Sequence, residues 1–195
     1  MNPGTVQNFE RRPRCLEGDD SPNPLFTAVG MCNSVWEALE SALADAFDAM
    51  LYPANLQRVG YLIYMAIPDV MTRIDVIEAT IPRCLSNDAR KSEAAQLLAS
   101  VRAAAERRND IVHGRVLRVV GFQLVPNIVA ATQIWPNGVA AYQWAAADLI
   151  AYIDMFVKLE EEIVALTARI LADVSSGKSI DGRLSDSLLH DRRSA

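Results

Sequence analysis

Arg108, Asn109 and His113 are the residues whose types and spacing suit chemistry. On a helix turning about 100° per residue, with Arg108 set at zero, Leu97, Val101, Ala104, Ile111 and Val112 all fall within about 60° of it. The arginine thus occupies a stripe where a leucine is expected. A guanidinium there needs a carboxylate, a phosphate or a route to water. Arg102, Glu106, Asn109 and His113 form a polar stripe about 130° away, and His113 lies about 7.5 Å further along the axis than Arg108. Imidazole transfers protons near neutral pH, and guanidinium is a bidentate partner for phosphate. Together they suit RNA cleavage by attack of a ribose 2′-hydroxyl on the adjacent phosphate, with no metal and no cofactor. Such a reaction gains from an acid and a base on opposite sides of phosphorus. The only other histidine, His190, lies in a C-terminal stretch without apolar periodicity, so a homodimer sharing two copies of His113 is expected.

Other roles compete for the same residues. A histidine in a last helical turn can bond free carbonyls and favour the negative dipole end. Arg108 can pin its helix through an ion pair, with Glu40 the best-placed carboxylate, or Asp75 or Glu78 instead. Such a pair is compatible with catalysis, since it would orient the arginine. Around the motif, residues 101–118 hold five arginines against Glu106 and Asp110, a net +3 in a chain of net charge −5. Arg102, Arg107 and Arg115 are the candidate RNA contacts in that island. Trp36, Tyr61 and Tyr64 are aromatic residues that stack on bases or fill a core.

Composition removes several alternatives. Cys15, Cys32 and Cys84 are odd in number and without a CxxC pair, against a disulfide framework or a cysteine-based zinc site. Two histidines are too few for a histidine-rich metal centre. No glycine-rich phosphate loop is present. Residues 1–24 lack an apolar signal core, and the most apolar stretch, Val139 to Val157, is crossed by Gln143, Asp148 and Asp154. A cytoplasmic protein with no membrane partner is expected.

The elements that must position the motif follow from apolar periodicity. A first helix is expected over 33–51, capped by Asn33 or Ser34. A second is expected over 55–85, its seam running through Val59, Ile63, Ile67, Val70, Ile74, Ile77 and Ile81, with a kink at Pro68. A third spans 88–113 and ends at Gly114 in a left-handed turn. Residues 115–142 alternate and contain turn signals at Pro126-Asn127 and Pro136-Asn137-Gly138, predicting a small β-hairpin or meander. A fourth helix spans 144–174. The fold class is therefore all-α, a bundle of four long helices over residues 31–174 with one β-rich insertion. Residues 1–30 and 175–195 are expected to be mobile tails.

The run Arg108 to His113, RNDIVH, with its polar second residue, a following glycine and a place late in the third long helix, resembles the motif of the HEPN superfamily. The resemblance covers residues 33–174 and is specific only at the motif. It implies a metal-independent endoribonuclease of the toxin–antitoxin or defence type, dimeric, with Arg108 and His113 catalytic and Asn109 supporting. An antitoxin or another protein is then an expected partner. The family also contains catalytically inactive members that serve as RNA- or protein-binding modules, which is the alternative the resemblance allows.

Overall fold

The computed structural model describes residues 9–52, 58–126 and 141–176. Among them are helices α1 (Asn23–Leu51), α2 (Val59–Ala66), α3 (Val70–Cys84), α4 (Asp88–Val112) and α5 (Ala146–Ser175), and strands β1 (Gly114–Val119) and β2 (Gly121–Pro126). The chain is thus mostly helical with one small antiparallel sheet. Its contacts group it into two compact units. Among the described residues, one holds 42–52, 58–98 and 162–176, and the other holds 9–41, 99–126 and 141–161.

In the first unit, Ile74, Ile77 and Ile81 of α3 are buried, as are Phe47, Met50, Leu97, Leu98, Ile163, Leu166 and Ile170. Arg90 joins Glu93 at 3.0 Å and Asp173 at 3.1 Å, and Arg169 also pairs with Glu93. These pairs tie the start of α4 to the end of α5. The expected second helix is broken here, not kinked. Ile67 takes an extended conformation, as a residue before proline does, and Asp69 caps α3 by accepting from the Thr72 amide at 2.8 Å. Those Thr72 bonds hold the Asp69 carboxyl below its ordinary range. The break also ends the seam: Ile74 is buried, whereas Val59 and Ile63 are exposed.

The second unit holds the motif. Its core includes Leu25, Cys32, Trp36, Leu39, Val101, Ala104, Ile111, Tyr142, Trp144, Tyr152 and Phe156. Helix α1 starts ten residues earlier than expected, so Asn33 and Ser34 lie inside it and cap nothing. Pro24 sits in the first turn, where a missing amide costs no hydrogen bond. A mobile tail through residue 30 is likewise overturned for residues 9–30. Phe9 is buried and stacks on Phe156 at 5.7 Å, and residues 23–30 are helical. Residues 1–8 and 177–195, with His190, lie outside the described residues.

The expected hairpin is present, with Gly114 paired to Pro126 and Val119 to Gly121. Its turn falls at Val120-Gly121, and residues 127–140, with the two turn signals, lie outside the described residues. Gly121 has φ of 75°. Gly114 is not left-handed; it opens β1 where an added Cβ would lie 2.9 Å from the Leu124 side chain. Close packing therefore explains this glycine. Strand β2 is paired on both sides: beyond β1, Phe122 exchanges backbone bonds with Asp19, and Leu124 with Trp144.

Candidate functional site

The last two turns of α4 divide their polar residues between solvent and core. His113 is exposed just past the helix, its backbone N–H donating to the Asn109 carbonyl at 3.0 Å. Asn109 is exposed as well. Arg108 is half-buried. Its Nη2 points to Asn33 Oδ1 at 3.4 Å and its Nη1 to Asn109 Oδ1 at 3.5 Å, both long for such bonds. Its guanidinium carbon lies 6.0 Å from the centre of the Trp36 ring. Its Nε is buried and has no hydrogen-bond partner among the described residues.

Arg108 therefore makes no ion pair among the described residues, and the expected pair with Glu40 is not formed. Glu40 accepts from the Trp36 indole N–H at 2.7 Å instead. The carboxylate thus fixes the ring over which Arg108 extends. Trp36 and Tyr64 are about 1% exposed, too buried to stack on a base, whereas Tyr61 is 37% exposed. Beneath the arginine, burial pushes the Cys32 thiol up to about 12, with Arg108 pulling the other way.

Arg107 corrects a second expectation. It is buried, and its Nη1 sits 2.9 Å from Asp110 Oδ2, so it is not a surface RNA contact. Its Nη2 reaches Glu106 at 3.1 Å. Asp110 is itself buried and also accepts a two-pronged bond from Arg11, 3.0 Å at each oxygen. That bond holds the Arg11 guanidinium above its ordinary range against the opposing effect of burial. The Tyr142 hydroxyl donates to the Asp110 carbonyl, and burial raises the Tyr142 phenol beyond its usual range. Arg102 is half-buried, and Arg115 is exposed on β1.

This buried cluster escapes sequence reasoning because residues 9–22 create it. They form a strap whose Arg12 amide donates to the Tyr152 hydroxyl at 2.7 Å, while that hydroxyl donates to the Glu10 carbonyl at 2.8 Å. Further along, the Cys15 amide donates to Gln143, and the Asp19 carboxylate accepts from the Ala146 amide at 2.9 Å. The strap covers the side of α4 that carries Arg107 and Asp110. A helical wheel treats that side as solvated. The one available signal was the i, i+3 spacing of Arg107 and Asp110, a geometry that favours pairing.

The end of α4 thus carries two separate polar systems. One is closed: Arg107 and Asp110 pair out of water, and the exposed Arg11 reaches the same carboxylate from the rim. The other is open, with an unpaired guanidinium at 108 and a solvent-facing imidazole at 113. Among the described residues no group of three or more His, Cys, Asp or Glu side chains is arranged to hold a metal ion. No described helix is long and apolar enough to cross a membrane. Comparison with protein-family models, with curated proteins and with solved structures finds no match to this chain.

Proposed function

We propose that this chain is a metal-independent endoribonuclease of HEPN type, a four-helix bundle acting as a homodimer. The observation that carries the reading is the state of Arg108. It emerges from an apolar stripe and, among the described residues, has no carboxylate partner and meets two asparagine oxygens and the Trp36 ring. A guanidinium held without a counter-charge retains its field for a phosphate. His113, five residues on and exposed, supplies the proton-transfer group.

In the proposed reaction the ribose 2′-oxygen attacks phosphorus and loses its proton to one His113. The bond from phosphorus to the 5′-oxygen breaks, and the partner copy's imidazole protonates that oxygen. Arg108 stabilises the charge on the phosphorane oxygens, and Asn109 orients Arg108. The products are a 2′,3′-cyclic phosphate and a 5′-hydroxyl. Arg102 and Arg115 add positive charge along the RNA path, while Arg107 does not take part. A defence or toxin role, with an antitoxin as partner, belongs to the same proposal.

The test is incubation of the purified chain with single-stranded and structured RNA in EDTA, scoring cyclic-phosphate ends. His113→Ala is expected to lower cleavage by about 10²–10⁴-fold, and Arg108→Ala by about 10²–10³-fold, with circular dichroism unchanged. Cleavage that survives both substitutions refutes the site. RNA bound but not cut replaces the enzyme with a binding module.

A further inference from the structure

Asn33 stands on α1 three residues before Trp36 and seven before Glu40, so the three share one stripe of that helix. Glu40 holds the Trp36 indole N–H, Arg108 of α4 extends over the Trp36 ring, and Asn33 turns its Oδ1 to Arg108 Nη2. Asn109 turns its own Oδ1 to Arg108 Nη1. Both asparagines are exposed. A guanidinium can only donate, so each carboxamide must offer it the oxygen, which sends the NH2 end away from the arginine. We propose that Arg108, Asn33 and Asn109 form an anion cup that seats one RNA phosphate, with Asn33 a phosphate-binding residue supplied by α1.

The donors can be counted. Of the five guanidinium N–H groups, two face the asparagine oxygens, and Nε has no partner among the described residues. The two remaining Nη hydrogens and the two NH2 groups are all donors, and they come from two helices. A rim that only donates suits an oxyanion and offers nothing to a cation. Phosphate is favoured over carboxylate. A carboxylate is satisfied by two parallel N–H bonds from the arginine alone. A phosphodiester spreads its charge over two oxygens of a tetrahedral centre, which leaves lone pairs for donors on either flank. Residues 101–118 surround the cup with a net +3, Arg115 among them exposed, and such a field draws a polyanion.

The length of the asparagine contacts fits this role. At 3.4 and 3.5 Å they steer the guanidinium without saturating it. A charged phosphate oxygen makes shorter and stronger bonds, so it can draw the guanidinium to itself. The inference rests on Arg108 as a phosphate ligand, as proposed above, but not on proton transfer by His113. The cup addresses phosphate oxygens, so RNA whose 2′-hydroxyls are methylated, and which cannot be cut, should bind as RNA does.

Fluorescence anisotropy of a labelled, fully 2′-O-methylated oligonucleotide, titrated with the full chain in about 50 mM salt, tests the proposal. The wild-type chain is expected to bind at about 10⁻⁴–10⁻⁶ M, the range of electrostatic binding to nucleic acid. Asn33→Ala, at an exposed position, should weaken binding about tenfold with an unchanged melting temperature, as loss of a hydrogen bond to a charged group does. Asn33→Asp keeps an oxygen for Arg108 but removes the outward donors. It should weaken binding at least about tenfold while melting no lower than the wild type. A residue that only propped up Arg108 would be replaced by aspartate without loss. Ser34→Ala, exposed beside it, should bind as the wild type does. Inorganic phosphate should displace the oligonucleotide where acetate of equal ionic strength does not. The cup is overturned by a wild-type chain that fails to bind at about 100 μM, by wild-type affinity in either Asn33 variant, by equal weakening in Ser34→Ala, or by equal displacement with acetate. If binding depends on Asn33 yet no RNA is cut, the cup stands and the nuclease reading falls. If RNA is cut through His113 while both Asn33 variants bind as the wild type does, the cup falls and the nuclease reading stands.

Discussion

Removing the carboxylate at Asp110 isolates a buried charge, and its cost follows from the surroundings. The Arg107 side chain is 8% exposed and holds two carboxylates, Asp110 at 4% and Glu106 at 65%. In Asp110→Ala the guanidinium keeps only the solvated Glu106, and breaking a buried pair in this way costs about 3–5 kcal/mol. Arg11 behaves differently. Its side chain is 41% exposed and can turn to water, so Arg11→Ala should cost only about 1 kcal/mol. The Tyr142 bond goes to the Asp110 carbonyl and survives the substitution. The decisive comparison is therefore the double variant Arg107→Leu, Asp110→Ala. With no charge stranded, it should regain at least about 2 kcal/mol over Asp110→Ala alone. Urea unfolding, followed by circular dichroism and by the fluorescence of the buried Trp36 and Trp144, measures each difference. An Asp110→Ala loss below about 1 kcal/mol, or a double variant no more stable than the single one, refutes the claim that these charges are closed off from water.

Three further outcomes follow from local geometry. Burial raises the Tyr142 and Tyr152 phenols, so the folded chain holds these protons more tightly than the unfolded one; stability is then full below about pH 10 and falls by up to about 1.4 kcal/mol per pH unit per tyrosine above it. Denaturant titrations between pH 9 and 11 check this, and a flat profile contradicts it. Cys32, fully buried with its thiol pushed up to about 12, should resist a thiol reagent at pH 8 in the native chain and react in urea; stoichiometric native labelling at Cys32 would show the burial to be wrong. Gly121→Ala should cost about 1–3 kcal/mol, since φ is 75° and an added Cβ lies 2.8 Å from the Gly18 carbonyl group; a loss below about 0.5 kcal/mol in urea melts removes the strain argument.

The long helices were legible because each buries a continuous apolar stripe. The expected third helix, 88–113, differs from α4 by one residue, and the fourth, 144–174, lies close to α5. Misreadings cluster at prolines and at long-range cover. Pro22 and Pro24 look like helix breakers in isolation, yet a first turn tolerates proline, and α1 begins among them. Pro68 breaks the second helix because Asp69 offers a better start for α3 than continuation offers α2. At the site, the wheel correctly placed Arg108 within the apolar stripe. It could not reveal that residues 9–22 cover the neighbouring flank and draw Arg107 and Asp110 inside. Bonds such as Arg11 to Asp110, 99 residues apart in sequence, leave no local period to read. Nor does a wheel say which of several carboxylates an arginine will meet; Glu40 went to an indole four residues away.

That strap sets an order of events during synthesis. Its amide at Arg12 is satisfied by the hydroxyl of Tyr152, 140 positions later, so this bond forms only after a long further stretch of chain has been made. Until α5 emerges, the strap can meet Asp110 of α4 and Phe122 of β2, but the Arg12 amide lacks its hydroxyl partner. Contacts of such sequence separation slow folding and expose incomplete states. A nascent chain halted before residue 152 should therefore leave this strap open to proteases that the finished chain resists.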